Sequence, residues 1–330
     1  MKTLLLSQEE IKSLVGMKDI VEICDKTFVG FGEGTTINPT KVNLDLGETA
    51  EYPAYHGFMN AMPAYIGWLD VAGIKWAGGF LGERRKLGLP YITSLILLID
   101  PKIGNFRAAM DGEFITSMRT GAQTAVALKY LHKDKNIKLG IYGAGAQGHT
   151  QTLAISQWFD IQELRIYDIS KEALEKFKED MKDVVKGEII LCDTPEEAAY
   201  GDAVISVTQS KDKFIKDEWI KPGTIVFPMG SYQECEDDFI LNADEIVVDH
   251  VGQCLHRGVL KQMSEAGKIT EASIRCTIGE LAAGKTQIED ISKKKILCVP
   301  IGTGAMDIAV AGVTYERALE KKIGETFEFV

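Results

Sequence analysis

No run of about eighteen consecutive apolar residues occurs in the chain, which argues against a transmembrane helix. Basic charge is in deficit: 37 Lys and Arg stand against 48 Asp and Glu, a formal net charge of −11. An acidic surface of this kind disfavours nucleic acid or an anionic membrane as a main partner. It leaves a small-molecule substrate open, because a pocket can differ in sign from the surface around it. The six cysteines, at 24, 192, 235, 254, 276 and 298, form no C-x-x-C pair and no disulfide-like spacing. They read as buried or free thiols of a reducing, cytoplasmic setting. The apolar run Leu4-Leu5-Leu6 is too short for a signal peptide, and Ser7 with Glu10 instead marks a capped helix start. Internal repeats, low-complexity segments and a G-x-S-x-G nucleophile motif are also missing. His250, Cys254 and His256 share one segment, but no fourth ligand is spaced to join them, so no metal is expected.

What is present is length and a change of texture. A chain of 330 residues exceeds what one hydrophobic core usually serves, so two domains are expected. Residues 8 to 31 read as one or two amphipathic helices, with Ile11, Leu14, Val15, Ile20, Val21, Ile23 and Phe28 near helical spacing. Between 36 and 99 strand signals dominate: Lys41-Val42-Asn43-Leu44-Asp45-Leu46 alternates, and 72–76 and 92–99 continue the pattern. A helical pattern returns from Met110 to Leu131. From Ile137 on, strands at 137–142, 163–167, 188–191, 203–207, 224–228 and 245–249 alternate with helices. That alternation predicts a doubly wound parallel sheet with both faces covered. The last apolar helix, 303–319, is expected to leave that sheet and pack on the first domain.

The stretch Gly143-Ala144-Gly145-Ala146-Gln147-Gly148 carries the sharpest chemical signal. A short apolar strand precedes it, a helix follows, and Asp168 ends the next strand about twenty residues later. Gly143 permits the tight turn, Gly145 lets the backbone approach a pyrophosphate, and Gly148 lets helix and strand pack closely. The positive end of the helix then faces the phosphates. Asp168 suits the adenosine ribose hydroxyls and would repel a 2′-phosphate, which favours NAD over NADP. Ligands of such sheets lie beyond the carboxyl ends of the strands. Thr208, after the fourth strand, and Met229-Gly230-Ser231-Tyr232, after the fifth, are therefore expected on the nicotinamide side.

Three cations of the first domain stand out: Lys41, Lys75 in Gly73-Ile74-Lys75-Trp76, and Arg119 in Met118-Arg119-Thr120-Gly121-Ala122. A cation in apolar surroundings needs an anion, either a ligand carboxylate or phosphate or a protein carboxylate. His56 is read as a core histidine rather than an acid–base group.

The segments Gly73-Ile74-Lys75-Trp76, Gly88-Leu89-Pro90, Met118 to Ala125, Gly143 to Gln147 and Ile278-Gly279-Glu280-Leu281-Ala282-Ala283-Gly284 occur in this order. Together, from about residue 5 to residue 325, they resemble the ornithine cyclodeaminase/mu-crystallin family. The resemblance implies a Rossmann doubly wound parallel sheet, residues 121–304, inserted in an α+β substrate-binding and dimerisation domain, residues 1–120 plus 305–330. It implies a homodimer and NAD(P)-dependent oxidation or reduction of a small amino acid or imino acid, as in alanine dehydrogenases and ketimine reductases. Ornithine cyclodeaminase, and a dinucleotide-binding protein without turnover, are the alternatives. By the same resemblance Lys75 and Lys41 hold the substrate carboxylate, and Lys75 also serves in acid–base work. Arg119 contacts the cofactor phosphates. Ala146, Gln147, Asp168 and Thr208 contact the cofactor, and Gly302 and Thr303 form a late loop at the active site. The chain departs from the family at Tyr232, which stands where cyclodeaminases and alanine dehydrogenases carry an aspartate. Tyr232 could donate a proton there, or Glu234 or Glu236 supply the carboxylate.

Overall fold

Two sheets of opposite character organise the chain. The computed structural model describes residues 1–80, 82–230 and 232–329. It divides them into two compact units, Met1–Arg119 with Thr303–Val330, and Thr120–Gly302.

In the first unit an eight-stranded sheet runs in the order Glu325–Glu328, Lys2–Leu6, Phe106–Asp111, Ile92–Ile99, Val71–Phe80, Gly57–Ile66 and Thr36–Ile37, with Val42–Leu46 pairing on Gly57–Ile66. All neighbours are antiparallel except Lys2–Leu6 with Phe106–Asp111. Side chains alternate across such a sheet, so one face enters the core and the other does not. Ile96 and Leu98 are buried while Leu95 is exposed. The Gly304–Lys321 helix lies on the buried face, against Gly57–Ile66, Val71–Phe80 and Ile92–Ile99. A Cβ on Gly304 would stand 2.5 Å from the Met62 carbonyl oxygen, so only glycine permits this approach. Asn38 caps the same helix from outside, its Oδ1 accepting the Ala305 N–H at 3.0 Å.

In the second unit the sheet is parallel throughout. Its order is Glu188–Leu191, Asp160–Tyr167, Asn136–Tyr142, Ala203–Ser206, Ile225–Pro228, Ile296–Val299, Glu245–Val248 and Cys276–Thr277. Counted along the chain within this unit, the strands run third, second, first, fourth, fifth, eighth, sixth, seventh. The reversal next to the first strand is the topological switch point of a Rossmann fold. The short central strands Ala203–Ser206 and Ile225–Pro228 are buried at every position, as both-face coverage requires.

The structure corrects several sequence readings. Met110 belongs to the strand Phe106–Asp111, and the helix begins only at Glu113. The opening apolar run is the strand Lys2–Leu6. The strands Ile296–Val299, Cys276–Thr277 and Glu325–Glu328 carry too little periodicity for the sequence to announce them. All six cysteines are buried and unbridged. Among the described residues, no helix is long and apolar enough to cross a membrane.

Candidate functional site

The glycine turn begins where the Asn136–Tyr142 strand ends. Gly143 has a left-handed backbone, φ 103°, and its N–H donates to the Tyr167 carbonyl at 2.9 Å. A Cβ on Gly148 would sit 2.3 Å from the Gly143 oxygen, so strand end and helix start touch backbone to backbone. A Cβ on Gly145 would meet nothing within 4 Å. Gly145 and Ala146 are exposed and Gln147 is half-buried. No side chain caps the Ala146–Ile155 helix. The positive end of a helix placed directly after such a turn suits an anion. Asp168 is oriented by backbone on both sides: Oδ2 accepts the Ala144 N–H and Oδ1 the Ser170 N–H, each at 2.8 Å. The closed turn, the open space above Gly145 and the fixed carboxylate fit a dinucleotide.

At the carboxyl ends of Ala203–Ser206 and Ile225–Pro228 a polar cluster gathers. The Thr208 hydroxyl donates to Glu234 Oε1 and accepts the Ser210 N–H at 3.0 Å. Glu234 is fully buried and its Oε2 has no hydrogen-bond partner. A Cβ on Gly230 would lie 3.3 Å from that oxygen. Burial pushes the Glu234 carboxyl above its ordinary range, against the hydroxyls of Thr208 and Ser206. Met229 is half-buried, and its N–H donates to the Ser206 carbonyl at 2.9 Å. Tyr232 is half-buried, with Lys211 Nζ 5.8 Å from its ring centre. Ser231, in the segment expected at the nicotinamide, lies outside the described residues. Of the two glutamates considered for a carboxylate, Glu234 is turned inward, and Glu236 is half-buried ahead of the Asp237–Asn242 helix. Gly302 is held by Asp249, whose Oδ2 accepts its N–H at 2.7 Å.

In the first unit, two cations converge on one carboxylate. Lys75 Nζ stands 2.7 Å from Asp307 Oδ2, an ion pair whose approach falls outside hydrogen-bond geometry. Arg119 Nε donates to Asp307 Oδ1 at 3.1 Å, and the Thr116 hydroxyl reaches the same oxygen at 3.3 Å. Lys75 is 1% exposed, Arg119 7% and Asp307 0%. Burial pulls the Lys75 amine down to about 7, and the charges of Arg119 and Lys41 add to burial against the attraction of Asp307. Burial opposes ionisation of Asp307 as well, but Arg119 and Lys75 outweigh it and hold the carboxyl below its usual range. Lys41 is half-buried, close enough to Lys75 for its charge to count. Thr303, fully buried at the start of the helix that carries Asp307, has a hydroxyl without a partner.

The structure thus joins Lys75 and Arg119 on Asp307, which the sequence reading missed, with Lys41 close enough to Lys75 for its charge to act there. Asp307 sits in Ala305-Met306-Asp307-Ile308-Ala309, a charge in an apolar helix. The rule that singled out Lys75 would have found it. His56 is not a core histidine: it is exposed, in a left-handed turn with φ 52°. His250 caps a short helix, Nδ1 accepting the Gln253 N–H at 3.3 Å, and His256 is exposed. Among the described residues no group of three or more side chains could hold a metal ion.

Comparison with known proteins matches these features. The family model for the ornithine cyclodeaminase/mu-crystallin family covers residues 1–322. An alanine dehydrogenase of Archaeoglobus fulgidus is 32% identical over 100% of this chain and 99% of its own. Among solved structures, an archaeal alanine dehydrogenase dimer with bound NAD superposes with a TM-score of 0.90 at 33% identity, covering 100% of both chains. The Delta(1)-pyrroline-2-carboxylate reductase of Thermococcus litoralis, in complex with NADH and L-proline, has a TM-score of 0.89 at 30% identity, covering 98% of this chain and 99% of that one. With a Rossmann unit, a second sheet unit and agreement along nearly its whole length, the chain belongs to the ornithine cyclodeaminase/mu-crystallin family.

Proposed function

We propose that the protein is an NAD-dependent oxidoreductase that interconverts a small amino acid and its imino acid, in the manner of an alanine dehydrogenase or a ketimine reductase. The observation that carries this reading is the buried meeting of Lys75 and Arg119 on Asp307, with the charge of Lys41 within reach. A buried cluster of cations suits an anionic ligand, and every substrate of this class brings a carboxylate. Lys41 and Lys75 hold that carboxylate. A lysine near neutrality also exchanges a proton readily, which suits the proton that accompanies loss of hydride from an α-carbon. Gly143, Gly145, Ala146, Gln147 and Gly148 take the pyrophosphate, Asp168 the adenosine ribose, and Thr208, Met229 and Gly230 the nicotinamide end. When bound, NAD accepts or returns the hydride at its nicotinamide ring. Thr303 offers its unpartnered hydroxyl to the substrate. Tyr232 is a second proton donor, tested by Tyr232→Phe, which removes only the hydroxyl.

The assay is NADH consumption with pyruvate plus ammonia and, separately, with pyrroline-2-carboxylate. Steady consumption with either supports the reading; tight NADH binding with no turnover of any such substrate overturns it. Proline and ammonia formed from ornithine without net NADH would assign the chain to the cyclodeaminases instead.

The assembly is a homodimer. Val42, Ala61, Trp76 and Leu95 stand side by side across four strands. Val42, Trp76 and Leu95 are 68%, 52% and 47% exposed. A contiguous apolar row of this kind on a sheet face suits a second copy. Trp76→Glu should yield monomers in sedimentation analysis; an unchanged sedimentation coefficient would rule out this face.

A further inference from the structure

We propose that Glu234 is a positioning residue for the nicotinamide end of the cofactor: from its buried place in the loop beyond the Ile225–Pro228 strand it claims the hydroxyl proton of Thr208, so that Thr208 meets the ligand as an acceptor. This rests on the assignment of Thr208 to the cofactor made above.

A threonine hydroxyl has one proton and two lone pairs. In this structure the proton goes to Glu234 Oε1, and the Ser210 N–H occupies one lone pair. What remains is one acceptor site, which selects a donor such as the carboxamide N–H of nicotinamide. The backbone of Glu234 is pinned, its carbonyl accepting the Phe214 and Ile215 N–H groups at 2.8 and 3.0 Å. Its side chain is fully buried, with Oε2 unpartnered beneath Gly230. The groups acting on its charge are the hydroxyls of Thr208 and Ser206 and the Thr208 backbone. The neighbouring Cys235 thiol is itself pushed upward by burial. No cation is among them to hold the proton off. When Glu234 is protonated it can donate to Thr208 instead, which frees the threonine proton and reverses the preference. The buried carboxyl therefore links cofactor affinity to pH without touching the cofactor.

The test is NADH affinity by fluorescence titration of the full chain, followed from a higher pH of about 8 down to a lower pH towards the ordinary carboxyl range. The intact protein should bind NADH more weakly at the lower pH. Glu234→Gln should weaken binding at the higher pH by about fivefold and remove the pH step. Thr208→Val should remove the step as well, Thr208→Ser should retain it, and the double variant should be no weaker than Thr208→Val alone. The thermal midpoint of each variant reports folding, and the two Thr208 variants carry the test if Glu234→Gln does not fold. Additive losses, or a pH step that survives in Thr208→Val, would overturn the proposal while leaving the oxidoreductase reading intact. Absence of NADH binding in the intact protein would remove both.

Discussion

Asp307 and Glu234 are two fully buried carboxyl groups, one in each unit, and the protein drives them in opposite directions. Burial disfavours the charged form of both. Asp307 meets Lys75 and Arg119, and their charges more than offset burial, so it stays ionised. Glu234 meets hydroxyls, which offset burial only in part, so its affinity for a proton rises. The kind of partner, not the depth of burial, decides the direction in which each carboxyl is pushed. One site is thereby built for charge and the other for a directed hydrogen bond.

The largest effect is expected on the charged side. Asp307→Asn leaves two buried cations on a neutral amide and should lower stability by about 3–5 kcal/mol, read from denaturant unfolding at neutral pH. The carboxylate has a lowered pKa in the folded state, so its contribution is present above the ordinary aspartate range and fades as pH falls through the folded value. The gap between variant and parent should therefore narrow on acidification; a gap that is constant with pH would mean that charge pairing is not its source.

Next comes Lys75→Met, which keeps the length of the side chain and removes its amine. Turnover should fall by about 10²–10⁴-fold while NADH affinity stays within about twofold, since the turn in the other unit is untouched. Near-normal turnover would dismiss Lys75 from the chemistry. A smaller change is expected at Asp168. Asp168→Ser removes the carboxylate that would repel a 2′-phosphate, and the preference for NADH over NADPH should drop by about tenfold in kcat/KM. Unchanged selectivity would show that some other group reads the ribose.

The smallest effect belongs to Glu234. Its raised folded pKa means that the folded state holds the proton more tightly than the unfolded state does. Its contribution is then fully present at acid pH and is lost as pH rises through the folded value. Glu234→Gln should change stability by less than about 1 kcal/mol at acid pH, because a neutral acid is replaced by a neutral amide. The variant should gain on its parent as pH rises. This trend is opposite in sign to that of Asp307→Asn, and the same sign in both would break the contrast.

How much of this was legible depended on how far apart the cooperating residues lie. The glycine turn is read within a few positions, because a tight turn, a helix start and a strand end are local matters. The backbone bears out the two local demands: Gly143 takes a left-handed conformation, and a Cβ on Gly148 would strike the Gly143 oxygen. Lys75 was visible only as an anomaly, a cation in an apolar strand. Its carboxylate lies in the last long helix, and the Arg119 contact with Asp307 spans 188 residues of chain. Periodicity within a segment cannot announce such a pairing. Glu234 was visible as an acidic residue in a loop, but nothing in Tyr232-Gln233-Glu234-Cys235 distinguishes an inward carboxyl from an outward one.

By itself, then, the sequence determined the alternating strands and helices, the glycine turn between strand and helix, and family membership, because each rests on local backbone demands or on ordered motifs. Only the tertiary structure decided which carboxylate answers Lys75 and Arg119, where Glu234 points, and which apolar row the first sheet leaves uncovered. Those outcomes depend on distant segments meeting, and on the burial and electrostatics that arise only once they have met.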